Sequence, residues 1–303
     1  ACLHTNQESS VTKADASKGT DGSITTKCSD CEITLSKSTI SAPNKIVLGN
    51  TSYTYDGNTK TPSVKIYDKT GKVISEANYT ISWSSDRKEP GTHTAKVTFK
   101  GNYSGTLSSS FTIRLGKVTG LKNGTLKTDS VQIKWNKLTG ATNYQIYRYD
   151  PAKKKYVILK TVSSGKSSYT DKKRDAARAY KYKVRAYRSA GGKISYSGYS
   201  DVLYTAAKPE KVRKVTAKKK TKNSIKLAWK KTVRADGYQI YRYNTTKKKW
   251  EKVTTIKKGS TVTYTNKKLK SKKTYQYRVR AYRKNGNTTA YGSYSEILKV
   301  RTK

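Results

Sequence analysis

Methionine is absent from this 303-residue chain, phenylalanine occurs twice, and hydrophobic residues make up 33% of the composition. One large core is therefore disfavoured, but Val, Ile, Leu and 25 tyrosines suffice for the thin cores of β-sandwiches. The length suits two or three domains of about 100 residues plus a fragment. No apolar run of about 18 residues occurs, so we predict no membrane-spanning helix. The chain begins at Ala1 without a charged and apolar leader, which predicts a mature or trimmed piece.

Residues typical of catalytic sites are also scarce. The sequence has two His and three Cys, and residues 117–303 contain neither type. No G-x-S-x-G, Walker or H-E-x-x-H motif occurs. His93 has no second ligand or nucleophile near it in sequence, and we expect it on the surface. Because a hydrolase needs a general acid and a base held close together, the sequence predicts a protein that is not an enzyme.

Positive charge is the most unusual property, since 65 Lys and Arg outnumber 19 Asp and Glu to give a net charge of +46. Residues 1–116 carry 14 cations and 10 anions, residues 117–206 carry 20 and 5, and residues 207–303 carry 31 and 4. A nearby polyanion or charged surface would relieve the self-repulsion. Wall polymers, acidic glycans, nucleic acid or a phospholipid face would serve, while a lysine-coated soluble protein is the plain alternative. Nucleic acid is disfavoured as a partner, because no recognisable binding module accompanies the charge.

The N-terminal segment, residues 1–32, contains all three cysteines. Cys2 and His4 form a C-x-H pattern, and Cys28 and Cys31 form a C-x-x-C pattern. Four such side chains can close a tetrahedron around a structural Zn²⁺, which would supply the folding energy that a short segment lacks. A disulfide, free thiols or the remnant of a lipoprotein processing site remain alternatives. The segment resembles the zinc-ribbon leaders of bacterial surface repeats, which often end C-x-x-C-G, but Glu32 stands at the glycine position.

Residues 33–115 alternate with period 2 in seven short runs, and Asp56-Gly57 is a strong hairpin signal between two of them. Seven strands in about 80 residues indicate an antiparallel sandwich. The Y-x-Y-D-G run and the later K-G-N-Y-S-G run resemble the immunoglobulin-like repeats of Gram-positive surface proteins. The predicted strands are 33–35, 45–48, 53–55, 64–67, 79–83, 94–99 and 110–113.

The rest of the chain is one unit written twice, residues 116–207 and residues 208–303. Y-Q-I-Y-R-Y occurs at 144–149 and again at 238–243, and Y-x-Y-x-V-R-A-Y-R follows at 180–188 and at 275–283. An early Trp followed by these strands resembles fibronectin type III domains. That resemblance implies seven-stranded sandwiches with Trp135 and Trp229 in the cores. It also implies corner hydrogen bonds from Tyr180 and Tyr275.

In that family a Leu usually lies six residues before the corner tyrosine. Leu269 fits this position in the second repeat, whereas Arg174 occupies it in the first. The predicted fold is therefore all-β: one immunoglobulin-like and two fibronectin type III-like sandwiches behind a zinc knuckle. The joints between the parts are short, which favours a semi-rigid rod.

Alternation along the repeated strands predicts an outer sheet face of tyrosines and cations. Such a face can pair with anionic groups and stack on flat rings, so we predict it as a binding surface. Cross-strand pairing that only stabilises an exposed sheet is the alternative. The predicted face consists of Tyr147, Tyr149, Lys183, Arg185 and Tyr187, and of Tyr241, Tyr243, Arg278, Arg280 and Tyr282.

These features predict a secreted or wall-associated bacterial spacer and adhesion module. Its basic repeats would bind an anionic wall polymer or an acidic glycan. One alternative is the accessory, non-catalytic region of a larger cell-wall or polysaccharide hydrolase. Another is a structural subunit of an extracellular assembly, in which acidic neighbouring protein subunits balance the charge.

Overall fold

A computed structural model describes residues 2–303, and these residues form β-strands and one 3-10 turn (Glu76–Asn78) but no α-helix. The predicted all-β fold class is confirmed. The described residues contain no helix that is long and apolar enough to cross a membrane. The chain divides into two compact units, one ending at Gly116 and including Arg188–Ser197, the other made of Lys117–Tyr187 and Gly198–Lys303.

The first unit contains four small sheets. Their strand orders are β1-β3-β4, β6-β11-β9-β8, β5-β7 and β10-β2. Phe111 and Ile113 of β11 and Ala95 of β9 belong to one of its buried clusters. The strands are β1 (Gln7–Thr12), β2 (Ala14–Asp15), β3 (Gly22–Cys28), β4 (Thr34–Ile40), β5 (Pro43–Leu48), β6 (Ser52–Thr54), β7 (Val64–Asp68), β8 (Tyr79–Trp83), β9 (Gly91–Phe99), β10 (Tyr103–Ser104) and β11 (Thr106–Arg114).

Strand pairing and apolar packing attach the segment before residue 33 to the rest of the first unit. β3 pairs with β4 along its length, and β2 pairs with β10. Ala14, Ile40 and Ala42 are buried together against Tyr103. The expectation that a metal would be the main source of folding energy here is therefore incomplete, because sheet hydrogen bonds and a small apolar cluster also hold the segment.

The expectation that His93 lies on the surface is wrong. Its side chain is only 6% exposed, its Nε2 lies 2.8 Å from the backbone oxygen of Glu89, and its ring centroid lies 5.5 Å from that of Phe111. Alternation along β9 places His93 on the same face as Ala95 and Val97, so it belongs to the core.

The two repeats have the same sheet orders. The first repeat has a β12-β13-β16 sheet and a β15-β14-β17-β18 sheet in which β19 also pairs with β17; the second has β20-β21-β24 and β23-β22-β25-β26, with β27 on β25. The strands are β12 (Lys122–Leu126), β13 (Ser130–Lys134), β14 (Asn143–Asp150), β15 (Lys155–Ser163), β16 (Ser168–Lys172), β17 (Ala179–Ala190), β18 (Lys193–Tyr196), β19 (Leu203–Ala206), β20 (Thr216–Lys220), β21 (Ile225–Ala228), β22 (Gly237–Asn244), β23 (Lys249–Ile256), β24 (Thr263–Asn266), β25 (Thr274–Asn285), β26 (Thr288–Tyr291) and β27 (Leu298–Arg301).

The predicted inward residues of the repeats form their cores. Trp135 and Trp229 are buried and pack on Tyr144 and Tyr238 with ring centroids 5.4 and 5.3 Å apart. The inward positions of the long strands, such as Val184 in β17, are buried as well. Burial of apolar surface on this scale, at about 25 cal/mol per Å², is the main stabilising contribution to each sandwich.

The predicted tyrosine corner is present in both repeats. The Tyr180 hydroxyl accepts a hydrogen bond from the Asp175 backbone N–H at 3.0 Å, and the Tyr275 hydroxyl accepts one from that of Lys270 at 2.8 Å. Leu269 is buried beneath the second corner. In the first repeat the Arg174 guanidinium lies 5.7 Å from the Tyr180 ring centroid, so a cation on the ring replaces the apolar contact.

Candidate functional site

The four predicted metal ligands lie together at the start of the chain. The ligand atoms of Cys2, His4, Cys28 and Cys31 all lie within 4.8 Å of one another, close enough to bind a metal ion. The Cys2 and Cys28 sulfurs are 3.4 Å apart, and the Cys31 sulfur is 3.5 Å from His4 Nδ1. Ligand sulfurs around a tetrahedral zinc ion, with bonds of about 2.3 Å, lie about 3.8 Å apart. The donor set and its spacing therefore fit such an ion.

The surroundings of the thiols prepare one of them for deprotonation. The side-chain hydrogen bond with His4, together with backbone N–H groups of Asp30 and Cys31, lowers the pKa of the Cys28 thiol to about 6. For Cys2, a backbone hydrogen bond from His4 lowers the pKa, but thiol hydrogen bonds with Cys28 and Cys31 raise it overall to about 11. A thiolate is the metal-binding form of cysteine, so this cluster supplies one at neutral pH.

The backbone conformation of Glu32 shows why the zinc-ribbon pattern often has a glycine at this position. Its φ is +54°, in the left-handed region where glycine is favoured. Its backbone N–H donates to the Cys28 oxygen at 2.8 Å, and the Cys28 N–H donates to the Ile33 oxygen at 3.0 Å. The chain therefore makes the tight C-x-x-C turn without the glycine, and the glutamate bears the backbone strain.

The predicted outer face of the first repeat is a stack of rings and cations. We call this cluster the first stack; it is formed by Tyr147, Tyr156, Lys183, Arg185 and Tyr199. Lys183 Nζ lies 3.6 Å from the Tyr199 ring centroid and 4.5 Å from that of Tyr156. The Arg185 guanidinium lies 5.2 Å from the Tyr199 ring. Tyr147 and Tyr199 meet edge to face at 5.3 Å.

The second repeat has an equivalent second stack, formed by Tyr241, Trp250, Arg278, Arg280 and Tyr294. The Arg278 guanidinium lies 3.6 Å from the Tyr294 ring centroid and 4.4 Å from that of Trp250. Arg280 lies 4.9 Å from Tyr294 and donates two hydrogen bonds to the Gln239 side-chain oxygen, at 2.9 and 2.8 Å. Each stack therefore fixes its cations against the protein's own rings.

The expectation of an open binding face needs a correction at Tyr147, which is only 6% exposed because Tyr199 and Arg185 cover its ring. The other nine predicted residues are half-buried. Tyr149 and Tyr243 pack edge to face on the neighbouring rings Tyr156 and Trp250. The structure thus gathers the predicted residues on one face of each repeat, but most ring surfaces already have partners within the protein.

Sequence reasoning missed Tyr199 and Tyr294 as members of this face. The closing Y-S pairs contain the signal, since the serine after each tyrosine ties the segment to the neighbouring strand. Ser200 Oγ accepts from the Val184 N–H, and Ser295 Oγ accepts from the Val279 N–H, both at 3.0 Å. This contact places the preceding tyrosine over the cation on β17 or β25.

The positive charge of the second repeat is largely unbalanced. The described residues in 207–303 form three ion pairs, whereas this segment has 31 cations. Those pairs are Lys211–Glu296, Lys247–Glu251 and Arg283–Asp236. Most lysines of this repeat therefore have no internal carboxylate, which leaves them available for an external anion.

Three carboxyl groups of the two repeats have pKa values below their ordinary range. Hydrogen bonds from Arg178, Asn244 and Lys211 lower the pKa of Asp175, Glu251 and Glu296, respectively. A general acid at neutral pH needs a raised carboxyl pKa instead. The resolved shifts in the repeats therefore run in the direction opposite to that requirement.

Residues 209–297 match the family model of the fibronectin type III domain. This match covers nearly all of the second repeat, and the first repeat has the same sheet order, buried Trp and tyrosine corner. The chain therefore contains tandem sandwiches of the fibronectin type III fold.

A search of characterised proteins finds similarity to Exoglucanase B of Cellulomonas fimi, at 28% identity over 181 residues. The alignment covers 57% of this chain, and this chain spans 15% of the length of that protein. Among solved structures, a two-domain fibronectin type III segment of chicken tenascin is 15% identical, covers 61% of this chain and 99% of that segment, and has a TM-score of 0.37. The chicken CNTN1 FN1-FN3 domains are 17% identical, cover 86% of this chain and 98% of that structure, and have a TM-score of 0.39.

Proposed function

We propose that this chain is a non-catalytic accessory and adhesion region of a secreted or wall-associated bacterial protein, and that its basic repeats bind an anionic polymer. The observation that carries the proposal is the uncompensated charge of the second repeat, with three internal ion pairs for 31 cations. Exposed lysines on a rigid sandwich attract a polyanion over about a Debye length, roughly 8 Å at physiological salt.

The similarity to Exoglucanase B supports the accessory part of this proposal. We propose that the catalytic domain, if the full protein is a polysaccharide or wall hydrolase, lies outside these residues. Sequencing the flanking reading frame tests this point, because a glycosidase or peptidoglycan hydrolase domain there would support it.

We also propose that the chain has four parts, with bounds at residues 1–32, 33–115, 116–207 and 208–303.

The two stacks have a supporting role in this proposal. Their cations are held in fixed positions against the rings, and their charges contribute to long-range attraction. The exposed lysines and the exposed edges of the stacked residues make most of the short-range contacts with the polymer. This proposed division agrees with the half-buried state of Lys183, Arg278 and Arg280.

Cosedimentation of the full chain with purified Gram-positive cell wall tests the binding. We expect binding at low salt and an apparent affinity that falls at least about tenfold between about 50 and about 200 mM salt. Wall stripped of its anionic polymers is the control, and it should retain little protein. Binding that ignores salt, or no binding at low salt, would overturn the electrostatic proposal.

We further propose that Cys2, His4, Cys28 and Cys31 hold a structural Zn²⁺. All four ligands would be protein side chains, which leaves no open coordination position for catalysis. The ion would crosslink the two ends of the N-terminal segment and add to the stability already supplied by β3 and β4. The alternatives of a disulfide or free thiols remain open to the same experiment.

A native mass spectrum should show one zinc ion per chain, lost on chelation. Hydrogen exchange should then accelerate in residues 2–31 and stay unchanged in the two repeats. The Cys31→Ser variant should lose zinc, whereas Ser29→Ala, on the same turn, should keep it. A metal-free chain whose N-terminal exchange is as slow as that of untreated protein would contradict the assignment.

A further inference from the structure

The second repeat contains an open cleft of about 900 Å³ beside the predicted face. Its walls come from the turn before β22, the loop after β23 and the β25–β26 hairpin. Its size lies within the range of ligand sites, about 300–1,000 Å³. Its lining includes the cations Lys231, Arg234, Lys257, Lys258 and Lys284 and the rings of Tyr282 and Tyr291.

Gly259 brings two walls of the cleft together, and Gly237 follows the lining residue Asp236 in the chain. A Cβ on Gly259 would lie 1.8 Å from the Ala235 backbone oxygen, and a Cβ on Gly237 would lie 2.0 Å from that of Ile256. No other residue fits at either contact without a backbone shift. The backbones of the turn before β22 and of the loop after β23 therefore approach each other directly where they line the cleft.

The cleft carries five exposed cations: four lysines, and Arg234, whose guanidinium interacts electrostatically with the Asp175 carboxylate. Among residues 2–303, none of the five takes part in an ion pair. Asp236 is the acidic residue of the lining, and both of its oxygens are occupied: Oδ1 accepts from Arg283 Nη1 and Oδ2 from the Lys284 backbone N–H, each at 2.7 Å. The net field inside the cleft is therefore strongly positive.

Two tyrosine rings lie in the same cleft. The centroids of Tyr282 and Tyr291 are 6.3 Å apart with a tilt of 54°. The Arg280 guanidinium lies 4.2 Å from the Tyr291 ring and fixes it. A fixed ring beside ammonium groups suits a ligand with a flat apolar face and anionic substituents. A pyranose that bears carboxylate, sulfate or phosphate groups has both features.

The first repeat supplies an internal comparison. The five cation positions correspond to Lys137, Gly140, Ser163, Ser164 and Ser189, so one cation occurs where the second repeat has five. The ring positions are conserved between the repeats as Tyr187 and Tyr196. Asn143 stands at the position of Gly237. The rings are therefore common to both repeats, whereas the charge belongs to the second.

We propose that this cleft of the second repeat is a binding site for an acidic oligosaccharide segment, with the lysines on its anionic groups and a sugar ring against Tyr291. The inference rests on the proposed function, since it assigns polymer binding to one site.

The test measures binding of the full chain to two acidic hexasaccharides, an oligogalacturonate and a heparin fragment, with neutral cellohexaose as the control ligand. The cleft variant is Lys257→Ser, Lys258→Ser and Lys284→Ser, which introduces the first repeat's residues. The matched control removes three exposed lysines of β20: Lys218→Ser, Lys219→Ser and Lys220→Ser. Both triple variants have the same net charge, and all substitutions lie on exposed side chains.

We expect at least one acidic hexasaccharide to bind and cellohexaose not to bind. The cleft variant should bind about tenfold more weakly, as expected for three lost exposed charge pairs, and the β20 variant should match the unmodified chain. The slope of log affinity against log salt should fall by up to about 3 in the cleft variant alone. Tyr291→Ala should weaken binding without changing that slope.

Equal weakening by both triple variants would overturn the cleft assignment and leave the charge-driven proposed function standing. If neither acidic hexasaccharide binds while cell wall still does, the saccharide assignment is overturned. Tighter binding of a single-stranded oligonucleotide at the cleft would also overturn it, in favour of nucleic acid. Loss of all salt-sensitive wall binding would remove the proposed function itself.

Discussion

In the first repeat a buried carboxylate, Asp171, holds the position that the neutral amide Asn266 has in the second. Asp171 accepts hydrogen bonds from Arg148 and from the Tyr182 hydroxyl, both at 2.7 Å. Asn266 donates to the Tyr277 hydroxyl at 2.8 Å. The same fold therefore accommodates a charged or a neutral side chain at this position, because each forms a hydrogen bond with the hydroxyl of the buried tyrosine.

The same comparison holds on the outer face. Lys183 occupies the centre of the first stack and Arg278 the centre of the second, and each lies 3.6 Å from the tyrosine ring of the closing segment. Tyr156 in the first repeat corresponds to Trp250 in the second. A larger ring thus accompanies a flat guanidinium, which stacks over a wider area than an ammonium group. The repeats preserve the contact and vary the groups that make it.

The largest expected difference between the repeats follows from removing Asp171. Asp171→Ala leaves the Arg148 guanidinium and the Tyr182 hydroxyl without their partner in a site where the carboxylate is 7% exposed. We expect the first repeat to lose about 3–5 kcal/mol of unfolding free energy. Asn266→Ala removes one of the hydrogen bonds to the Tyr277 hydroxyl, which Arg242 also contacts, and should cost the second repeat about 0.5–1.5 kcal/mol.

Hydrogen exchange of the full chain, read by mass spectrometry peptide by peptide, measures each repeat separately, which matters because a multidomain chain does not unfold in one step. Asp171→Asn is the control, since it introduces the second repeat's amide and should cost less than Asp171→Ala. Equal losses in the two alanine variants would show that the charge of Asp171 adds nothing to its role.

The corner positions should give the next largest difference. Leu269→Ala opens a space beneath Tyr275 in the buried core and should cost about 2–4 kcal/mol. Arg174→Ala removes a partly exposed cation from the Tyr180 ring and a 3.4 Å ion pair with Asp171, and should cost about 1 kcal/mol. The same exchange measurement checks both. A larger loss for Arg174→Ala would mean that the cation, rather than the tyrosine hydrogen bond, holds the first corner.

The resemblance to fibronectin type III domains implied the tyrosine corners, whereas alternation and repetition were enough to predict the all-β fold class and the inward residues. These features depend on near neighbours along a strand, and a two-residue period records them directly. The cysteine cluster could be predicted for a similar reason, since the C-x-x-C spacing fixes two ligands on one turn. Each of these properties is local, and the duplicated strands provide a second copy of the signal.

The features that could not be predicted depend on distant parts of the chain. β2 pairs with β10 across about 90 residues of sequence, and nothing near Ala14 records that partner. The burial of His93 depends on Phe111 of a neighbouring strand. One wall of the cleft depends on the close backbone approach of Gly259 to Ala235, which a sequence shows only as a glycine. Contacts between residues far apart in sequence therefore determine these features, and local sequence patterns do not record such contacts.

The smallest expected difference concerns the centres of the two stacks. Arg278→Ala removes a guanidinium held between Tyr294 and Trp250 and should cost about 1–2 kcal/mol, while Lys183→Ala should cost about 0.5–1 kcal/mol. Arg278→Lys recreates the first repeat's cation and should fall between the parent and the alanine variant. Exchange in the peptides that contain Tyr199 and Tyr294 measures these changes, because the closing segments lose their contact with the cation. If Arg278→Lys were as costly as Arg278→Ala, the planar shape of the guanidinium rather than its charge would hold the closing segment, and the two stacks would then be stabilised by different interactions.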